Sequence, residues 1–259
     1  MGKVIDKKRA LSFKDNAQLY EKVRPGYPDT WISDLQEVVK LNKKSKILEV
    51  GSGTGKATSD LIKVSKHVTC LDPAKEMLEI AESKFPTLKF INLTFEEFNS
   101  DELYDLIISA TAWHWVDPAV GYKKAYDLLV ESGFMAIIRY YHIDSDPKSF
   151  HNRAQYIYEY YNKATSSKRH AEQLNRIKED ALALNNNYFQ LVKKFEYKWQ
   201  VNYSIEDYLA LRNTYSDHIT MDPADRLKME HQLKEFAQKE FGGKLTKKYT
   251  TVLFIAAKP

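Results

Sequence analysis

The chain has one cysteine in 259 residues, so it cannot form an internal disulfide. That residue, Cys70, lies among the apolar residues of a predicted buried strand, which also argues against a cysteine nucleophile. No apolar run approaches the roughly 18 residues that a membrane-spanning helix needs. The charged residues 1–9 lack the apolar core of a signal peptide. These absences predict a cytoplasmic protein with no membrane partner.

An excess of charge of one sign is also missing, because 39 Lys and Arg face 35 Asp and Glu, for a formal net charge of +4. This falls short of the concentrated basic face of a nucleic-acid-binding protein. The seven histidines show neither a His-x-x-x-His pattern nor another metal-ligand spacing, so we expect no metal site. A small molecule is the expected partner, and a monomer or homodimer the expected assembly.

Apolar strands alternate with amphipathic helices from about position 30 to about position 140. This order is typical of a parallel sheet covered by helices on both faces, so the predicted fold class is α/β, with a Rossmann-like doubly wound sheet. The pattern predicts strands over 46–50, 67–72, 88–92, 104–109 and 133–140. It predicts helices over 29–41, 55–64, 74–84 and 118–130 and a helix-like segment over 95–98. Gly133 is expected to stop the helix over 118–130.

The pattern changes after Tyr141. Residues 146–187 are polar and helical, with no evident strand. A strand follows around 188–199 and a final strand over 249–257, and Gly242 and Gly243 form the turn before the final strand. Two further helices are predicted over 204–211 and 223–241. Between the glycines and the final strand, residues 244–248 are expected to be a solvated approach to a hairpin.

The most informative stretch is the apolar segment 47–50 with glycines at 51, 53 and 55 after it. Glycine permits a positive φ and lets a ligand approach where a Cβ would collide. A helix-length later, a second apolar strand ends in Asp72. A strand, a glycine turn, a helix and a strand ending in an acid form the skeleton of a nucleotide-binding βαβ unit.

Two details distinguish this turn from a dinucleotide-binding fingerprint. Counted from Gly51, that fingerprint needs a glycine at position 56, where the chain has Lys56. Glu49, two residues before the turn, would repel a pyrophosphate and attract a cation. The favoured ligand therefore carries an ammonium or sulfonium group, although Glu49 could equally be a solvent-facing strand end.

With Glu49 before the glycines and Asp72 after them, the chain resembles the class I S-adenosylmethionine-dependent methyltransferases, whose motif I is an apolar strand, an acid and Gly-x-Gly-x-Gly. The resemblance is strongest over 46–140. It implies S-adenosylmethionine as the cofactor and an antiparallel last strand at one edge of the sheet. It also implies a methyltransferase core made of 1–145 and 188–259, with 146–187 as a helical insertion over the substrate side.

The same resemblance implies a set of cofactor contacts. In the family, the acid at the Asp72 position accepts hydrogen bonds from both ribose hydroxyls, and an apolar residue at the Met77 position packs on adenine. Ordinary helix packing is the alternative for Met77. Thr94 stands where many members have an Asp, so it could accept from adenine only through its hydroxyl. The expected contacts are Tyr20, Arg24, Glu49, Gly51, Ser52, Gly53, Asp72, Pro73, Met77, Thr94, Phe95 and Ala110.

A Trp-His-Trp cluster at 113–115 follows the fourth strand, at the sheet edge where open α/β sheets bind ligands. It is similar to the His-Trp signature of small-molecule enzymes in the methyltransferase type 11 and trans-aconitate methyltransferase groups. His114 could be a general base or could donate a hydrogen bond to a carboxylate, and it could also simply tie the loop to neighbouring backbone. The expected acceptor-side residues are Trp113, His114, Arg139, Tyr141 and Ser216.

The stretch 20–28 resembles the Tyr-x-x-x-Arg-Pro-x-Tyr-Pro segment of the same group, which folds over the cofactor. Arg24 could hold the cofactor's carboxylate or an acidic substrate through a charge-assisted bond, and a proline-stiffened surface turn is the structural alternative.

Three functions compete at this point. A small-molecule methyltransferase, acting on a carboxylic acid or a hydroxyl compound, agrees with the glycine turn, both acids and the His-Trp cluster. A tRNA or rRNA methyltransferase would show an Asn-Pro-Pro-Tyr-like motif after the fourth strand or a broad basic surface, and the chain has neither. The third is a nicotinamide oxidoreductase, or a non-catalytic cofactor-binding module, on the related fold.

Overall fold

The computed structural model describes residues 16–162, 166–219 and 221–259, without the side chains of 162–171, 216 and 217. In these residues, helices lie against a single sheet of seven strands. The strands are β1 Lys46–Val50, β2 His67–Leu71, β3 Lys89–Ile91, β4 Tyr104–Ala110, β5 Leu129–Tyr141, β6 Gln190–Ser204 and β7 Lys244–Ala257. Their order across the sheet is β3-β2-β1-β4-β5-β7-β6.

The helices fall before, between and after these strands. They are α1 Ala17–Val23, α2 Trp31–Val39, α3 Thr58–Val64, α4 Lys75–Lys84, α5 Pro118–Leu128, α6 Phe150–Arg153, α7 Gln155–Asn162, α8 Ser166–Ala183, α9 Ile205–Arg212, α10 Ser216–Ile219 and α11 Pro223–Phe241, with a short 3-10 turn at Trp113–Trp115. None of the helices in the described ranges is long and apolar enough to cross a membrane.

The central strands are parallel and buried on both faces, which explains why their sequences are nearly continuous apolar runs. In β1 and in β2 the first residue is exposed and the other four are buried. The two strands pair in register, with Ile47 opposite Val68 and Glu49 opposite Cys70. This register brings the carboxyl ends of β1 and β2 to the same edge of the sheet.

The predicted fold class is confirmed, including the antiparallel last strand. β7 runs antiparallel to both of its neighbours, β5 and β6. It begins at Lys244, five residues earlier than predicted, because residues 244–248 pair with 200–204 of β6. The solvated approach expected there is wrong, since Lys247 is only 8% exposed.

Two smaller predictions are also corrected. α5 ends at Leu128 and Gly133 lies inside β5, so Gly133 does not stop the helix. The turn at this point is made by Ser132, which has a φ of 61°, where the register of β4 and β5 shifts. Residues 95–97 form a turn and not a helix. The predicted start of α5 is confirmed, because the Asp117 side chain accepts from the Ala119 N–H.

The core lies on both faces of the sheet. Trp31 and Leu35 of α2 and Leu61 of α3 pack on one face, with Ile47 of β1. Phe95 and Trp113 pack on the other face, with Leu48 and Val50. Beyond the carboxyl edge, a third apolar cluster joins α6, α7, α9 and α11, and its buried rings and aliphatic side chains include Phe150, Tyr158, Tyr208, Met229 and Leu233.

Candidate cofactor and acceptor site

The glycine turn after β1 has the conformation that its sequence predicts. Gly51 and Gly53 have φ values of 74° and 55°, in the left-handed region that favours glycine. The Gly51 N–H donates to the Leu71 carbonyl at 2.7 Å, which ties the turn to the end of β2. A Cβ on Gly51 would come within 2.2 Å of the Ala112 Cβ. The turn therefore packs closely against the loop after β4.

Glu49 is fully buried beside this turn. Its Oε2 accepts from the Thr58 hydroxyl at 2.6 Å, and its Oε1 has no hydrogen-bond partner in the described part of the chain. Burial raises the pKa of Glu49 to about 8, although the Thr58 bond opposes the shift. A buried carboxyl group with one unpaired oxygen is unfavourable by itself and becomes favourable beside a cation.

Asp72 follows β2 and is held by the backbone. One of its carboxylate oxygens accepts from the Gly53 N–H and the other from the Ala74 N–H, each at 2.8 Å. Burial raises its pKa to about 6, and the two backbone bonds oppose the shift. Each oxygen keeps a second lone pair that could accept from a ligand hydroxyl. The Asn92 amide donates to the Asp72 carbonyl at 3.0 Å and links the end of β3 to the site.

Pro73 follows Asp72, and Met77 lies in the first turn of α4. Met77 is 4% exposed and clusters with Ala17 and Ala74, and a Cβ on Gly53 would come within 3.4 Å of its Cε. Met77 therefore lies between the glycine turn and the amino-terminal helix.

Residues 17–28, which we call the strap, lie over the glycine turn. Glu21 of the strap pairs with Lys56 at 3.1 Å and with Lys84 at 2.8 Å. Burial by itself would raise the pKa of Glu21, but the ammonium groups of Lys84 and Lys56 lower it overall. The strap is thus tied to the residue that directly follows the last glycine of the turn.

The other end of the strap contacts the loop after β4 and the end of β5. The Tyr27 hydroxyl bonds with the Thr111 hydroxyl at 3.0 Å. Its ring stacks on Tyr140 with 4.8 Å between centroids, and the Tyr140 hydroxyl donates to the Pro25 carbonyl at 3.0 Å. Thr111 has a φ of 58°, a strained value for a β-branched residue.

Arg24, in the middle of the strap, is held by Thr214. Its Nε donates to the Thr214 hydroxyl at 2.8 Å and a second guanidinium nitrogen donates to the Thr214 carbonyl at 2.9 Å. The guanidinium carbon lies 4.2 Å from the centroid of Tyr215 and 5.1 Å from that of Tyr20. Arg24 is therefore held between two aromatic rings, and its guanidinium group has further N–H groups that the bonds to Thr214 do not use.

The Trp-His-Trp cluster divides between the core and the surface. Trp113 is 7% exposed and packs between Phe95, at 5.4 Å, and Tyr122, at 5.5 Å. His114 is exposed, and its ring lies 4.9 Å from that of Trp115. The two residues predicted to share the acceptor pocket thus point in different directions, while Ala110 stays at the end of β4.

Thr94 and Phe95 follow β3. The Thr94 hydroxyl donates to the Glu97 carboxylate at 2.8 Å and accepts from the Glu97 N–H at 3.3 Å, so one of its lone pairs remains available. The Phe95 side chain is buried against Trp113. Only the Phe95 backbone could therefore contact a ligand at the edge of the sheet.

Successive residues at the end of β5 face opposite sides of the sheet. Arg139 donates to the Asp180 carboxylate of α8 at 2.9 Å, and the Tyr141 hydroxyl donates to the same group. Tyr140 and His142 face the other way, with ring centroids 5.7 and 5.8 Å from that of Tyr249. The predicted pair, Arg139 and Tyr141, is therefore bound to α8, and its neighbours contact the strap side. Ser216 begins α10, and its side chain is outside the described residues.

Comparisons with known proteins agree with this geometry. A family model described as a methyltransferase domain matches residues 47–133, which include the glycine turn and both buried acids. An uncharacterized methyltransferase of Mycobacterium bovis is 32% identical over 130 residues, 50% of this chain and 52% of the relative. Over this stretch the chain is therefore similar to a methyltransferase domain.

Two further similarities concern the length of the match and the fold. An uncharacterized methyltransferase of Schizosaccharomyces pombe is 26% identical over 226 residues, 86% of each chain. A crystal structure of an S-adenosylmethionine-dependent methyltransferase from Thiobacillus denitrificans, in complex with S-adenosyl-L-homocysteine, matches with a TM-score of 0.54 at 13% identity. It covers 95% of this chain and 98% of that chain and shows a shared fold. The alignments to the mycobacterial relatives, in contrast, span about half of their length.

The site fits S-adenosylmethionine, the cofactor that the resemblance implies. The buried hydroxyls of Ser52 and Thr54 have no hydrogen-bond partner in the described part of the chain, nor has the Oε1 of Glu49. These three polar atoms belong to the glycine turn and to the strand before it. A polar, cationic ligand at the turn would satisfy groups that the chain by itself leaves unsatisfied.

Several residues that the fold brings to the same edge carry no recognisable motif in the sequence. Tyr215 contacts Arg24 and His142, and Tyr249 contacts His142. The Lys247 Nζ lies 5.9 Å from the Tyr215 centroid and 5.2 Å from the Tyr249 centroid. The alternation of Leu245, Lys247 and Tyr249 is the signal that could have placed Lys247 on a buried strand face.

Proposed function

We propose that this protein is an S-adenosylmethionine-dependent methyltransferase that acts on a small-molecule acceptor. The observation that carries the proposal is the pair of buried acids, Glu49 and Asp72, on either side of a glycine turn in the left-handed conformation. An acidic turn suits a cationic ligand with ribose hydroxyls better than a pyrophosphate.

Asp72 would accept from the ribose hydroxyls, and the backbone of Gly51, Ser52 and Gly53 would lie against the amino-acid part of the cofactor. Pro73, Met77, Thr94 and Phe95 would lie around the adenine. S-adenosylmethionine supplies a methyl group that its sulfonium already activates for transfer. The chain would then bind the two substrates, orient the acceptor atom toward the methyl group and exclude water. Binding and orientation of this kind account for much of the acceleration in such reactions.

The strap supports a small acceptor rather than a polymer. It is tied down at Glu21, Arg24 and Tyr27, and it covers the glycine turn and the end of β5. A covered site of this kind favours a molecule that can be enclosed, because a nucleic acid needs an open groove to bring its base to the cofactor.

A hydroxyl or amine acceptor would need a base, and His114 is the histidine that the sequence motif offers. A carboxylate acceptor would need none, because its oxygen is already deprotonated at neutral pH. The exposed position of His114 favours the second case.

Calorimetric titration with S-adenosylmethionine, S-adenosylhomocysteine and NAD tests the cofactor assignment. We expect both adenosyl ligands to bind and NAD not to bind. Binding of NAD alone would overturn the proposal in favour of an oxidoreductase. Methyl transfer to RNA or DNA alone would overturn the small-molecule acceptor.

A further inference from the structure

Four nitrogen-bearing side chains meet around the ring of Tyr215, and one of them, Arg212, with its guanidinium carbon 5.1 Å from the centroid, is already bound to His218. The Arg24 guanidinium carbon lies 4.2 Å from its centroid and the Lys247 Nζ lies 5.9 Å from it. The His142 ring centroid lies 5.7 Å away. We call Arg24, His142 and Lys247 the basic cluster.

Lys247 is the unusual member of the basic cluster, because a lysine that is 8% exposed ordinarily has a carboxylate partner. The described residues give it none. Its Nζ lies 5.2 Å from the Tyr249 centroid, so that aromatic faces supply part of the compensation.

The acids near the cluster are already paired. Asp144 lines the same small cavity as His142 and Lys247, but it pairs with Lys248, at 3.8 Å, as does Asp146, at 3.0 Å. This cavity of about 10 Å³ has room for a group of roughly water size, such as a carboxylate oxygen.

His142 supplies a neutral donor to the cluster. Its Nδ1 is buried without a hydrogen-bond partner in the described ranges. Burial lowers its pKa well below the ordinary value, and the charges of Lys247, Arg24, His151 and Arg212 lower it further. A neutral imidazole has one N–H, which can donate to an anion.

The basic cluster adjoins the cofactor turn through the strap. Glu21 bonds to Lys56 beside the turn, and Arg24 follows three residues later, which is about 4.5 Å along a helix. Tyr20, one residue before Glu21, packs beside Arg24, with its ring centroid 5.1 Å from the guanidinium carbon, and burial raises the pKa of its hydroxyl.

We propose that Lys247, Arg24 and His142 form the subsite that holds a carboxylate of the methyl acceptor, so that the acceptor is a small organic acid. This inference rests on the proposed methyltransferase function. A guanidinium and an ammonium together suit a carboxylate, because one offers paired N–H groups and the other a point charge. The rings of Tyr215 and Tyr249 would contact the body of the acid.

The test is calorimetric titration of the protein saturated with S-adenosylhomocysteine. The probes are succinic, citric and 3-phenylpropionic acid, each beside its neutral amide. We expect at least one acid to bind tenfold or more tightly than its amide. Equal binding of acids and amides, or no binding of any acid, would overturn the carboxylate subsite.

Variants show whether Lys247 carries the difference. K247M should lower the affinity for that acid at least tenfold and leave the affinity for S-adenosylhomocysteine unchanged, and K247R should keep most of the affinity. K244M is the matched control, the same substitution at an exposed position of the same strand. Unchanged acid binding by K247M would overturn the inference and leave the proposed function standing. If S-adenosylhomocysteine does not bind the unaltered protein, the proposed function and the carboxylate subsite are both wrong.

Discussion

The two ends of the strap lie over regions of opposite charge. Under Glu21 is the turn between Glu49 and Asp72, where buried acids predominate. Around Arg24 are His142 and Lys247, where nitrogen-bearing groups predominate. The difference indicates two ligands of opposite charge, a cationic methyl donor at the turn and an anionic acceptor at the basic cluster.

The largest expected effect tests the acidic region through pH. Glu49 has a pKa near 8 in the folded chain and near 4.5 as an ordinary carboxyl. The folded state therefore holds the extra proton between these values, so the free energy of unfolding should fall as pH rises from about 4.5 to about 8. At 1.36 kcal/mol per pKa unit the loss is about 3 to 5 kcal/mol.

Urea denaturation at several pH values measures this loss, and E49Q should flatten the dependence. S-adenosylmethionine should also reduce it, since a cation beside Glu49 favours the ionised carboxyl. If the unaltered protein and E49Q show the same pH dependence of the free energy of unfolding, Glu49 is not the group whose pKa rises on folding.

The next effect concerns the backbone of the turn. G51A places a Cβ 2.2 Å from that of Ala112 and puts alanine at a positive φ. Strain and overpacking together should lower the free energy of unfolding by about 2 to 4 kcal/mol. G26A is the control, because a Cβ on Gly26 meets nothing within 4 Å. A stable G51A that still binds S-adenosylhomocysteine would mean that the turn is not closely packed.

Asp72 gives a binding effect of intermediate size. D72N keeps the shape of the side chain and removes the charge, so the affinity for S-adenosylhomocysteine should fall by about 1.5 to 3 kcal/mol, the range for hydrogen bonds to charged groups. Calorimetry measures the change, and D127N, at an exposed position of α5, should leave the affinity unchanged. Equal affinities for D72N and D127N would remove Asp72 from the cofactor site.

The smallest effect is expected at His114. H114A should change the turnover of a carboxylic acid less than about twofold, because an ionised carboxylate needs no base. A loss of a hundredfold or more, within the range for a general base, would make His114 catalytic and favour a hydroxyl or amine acceptor.

Sequence patterns predicted the acidic region far better than the basic one. Glu49, the glycine turn and Asp72 lie within 24 consecutive residues, and a strand-turn-helix-strand unit fixes their relative positions by local geometry. The buried state of Glu49 follows from the apolar residues on either side of it.

The basic cluster could not be assembled in this way. Arg24, His142 and Lys247 come from three distant elements, and their meeting depends on β7 pairing antiparallel with β5 and β6. The sequence interpretation began β7 at Tyr249, so Lys247 fell outside the strand. Trp113 and His114 show the same limit, because adjacent residues in a short 3-10 turn point in directions that spacing alone does not give.

Methyl transfer from methyl-labelled S-adenosylmethionine to paired acids and amides tests the two-region account most directly. We predict a labelled product from at least one small carboxylic acid and none from its amide. Labelling of the amide as readily as the acid, or of nucleic acid alone, would contradict it.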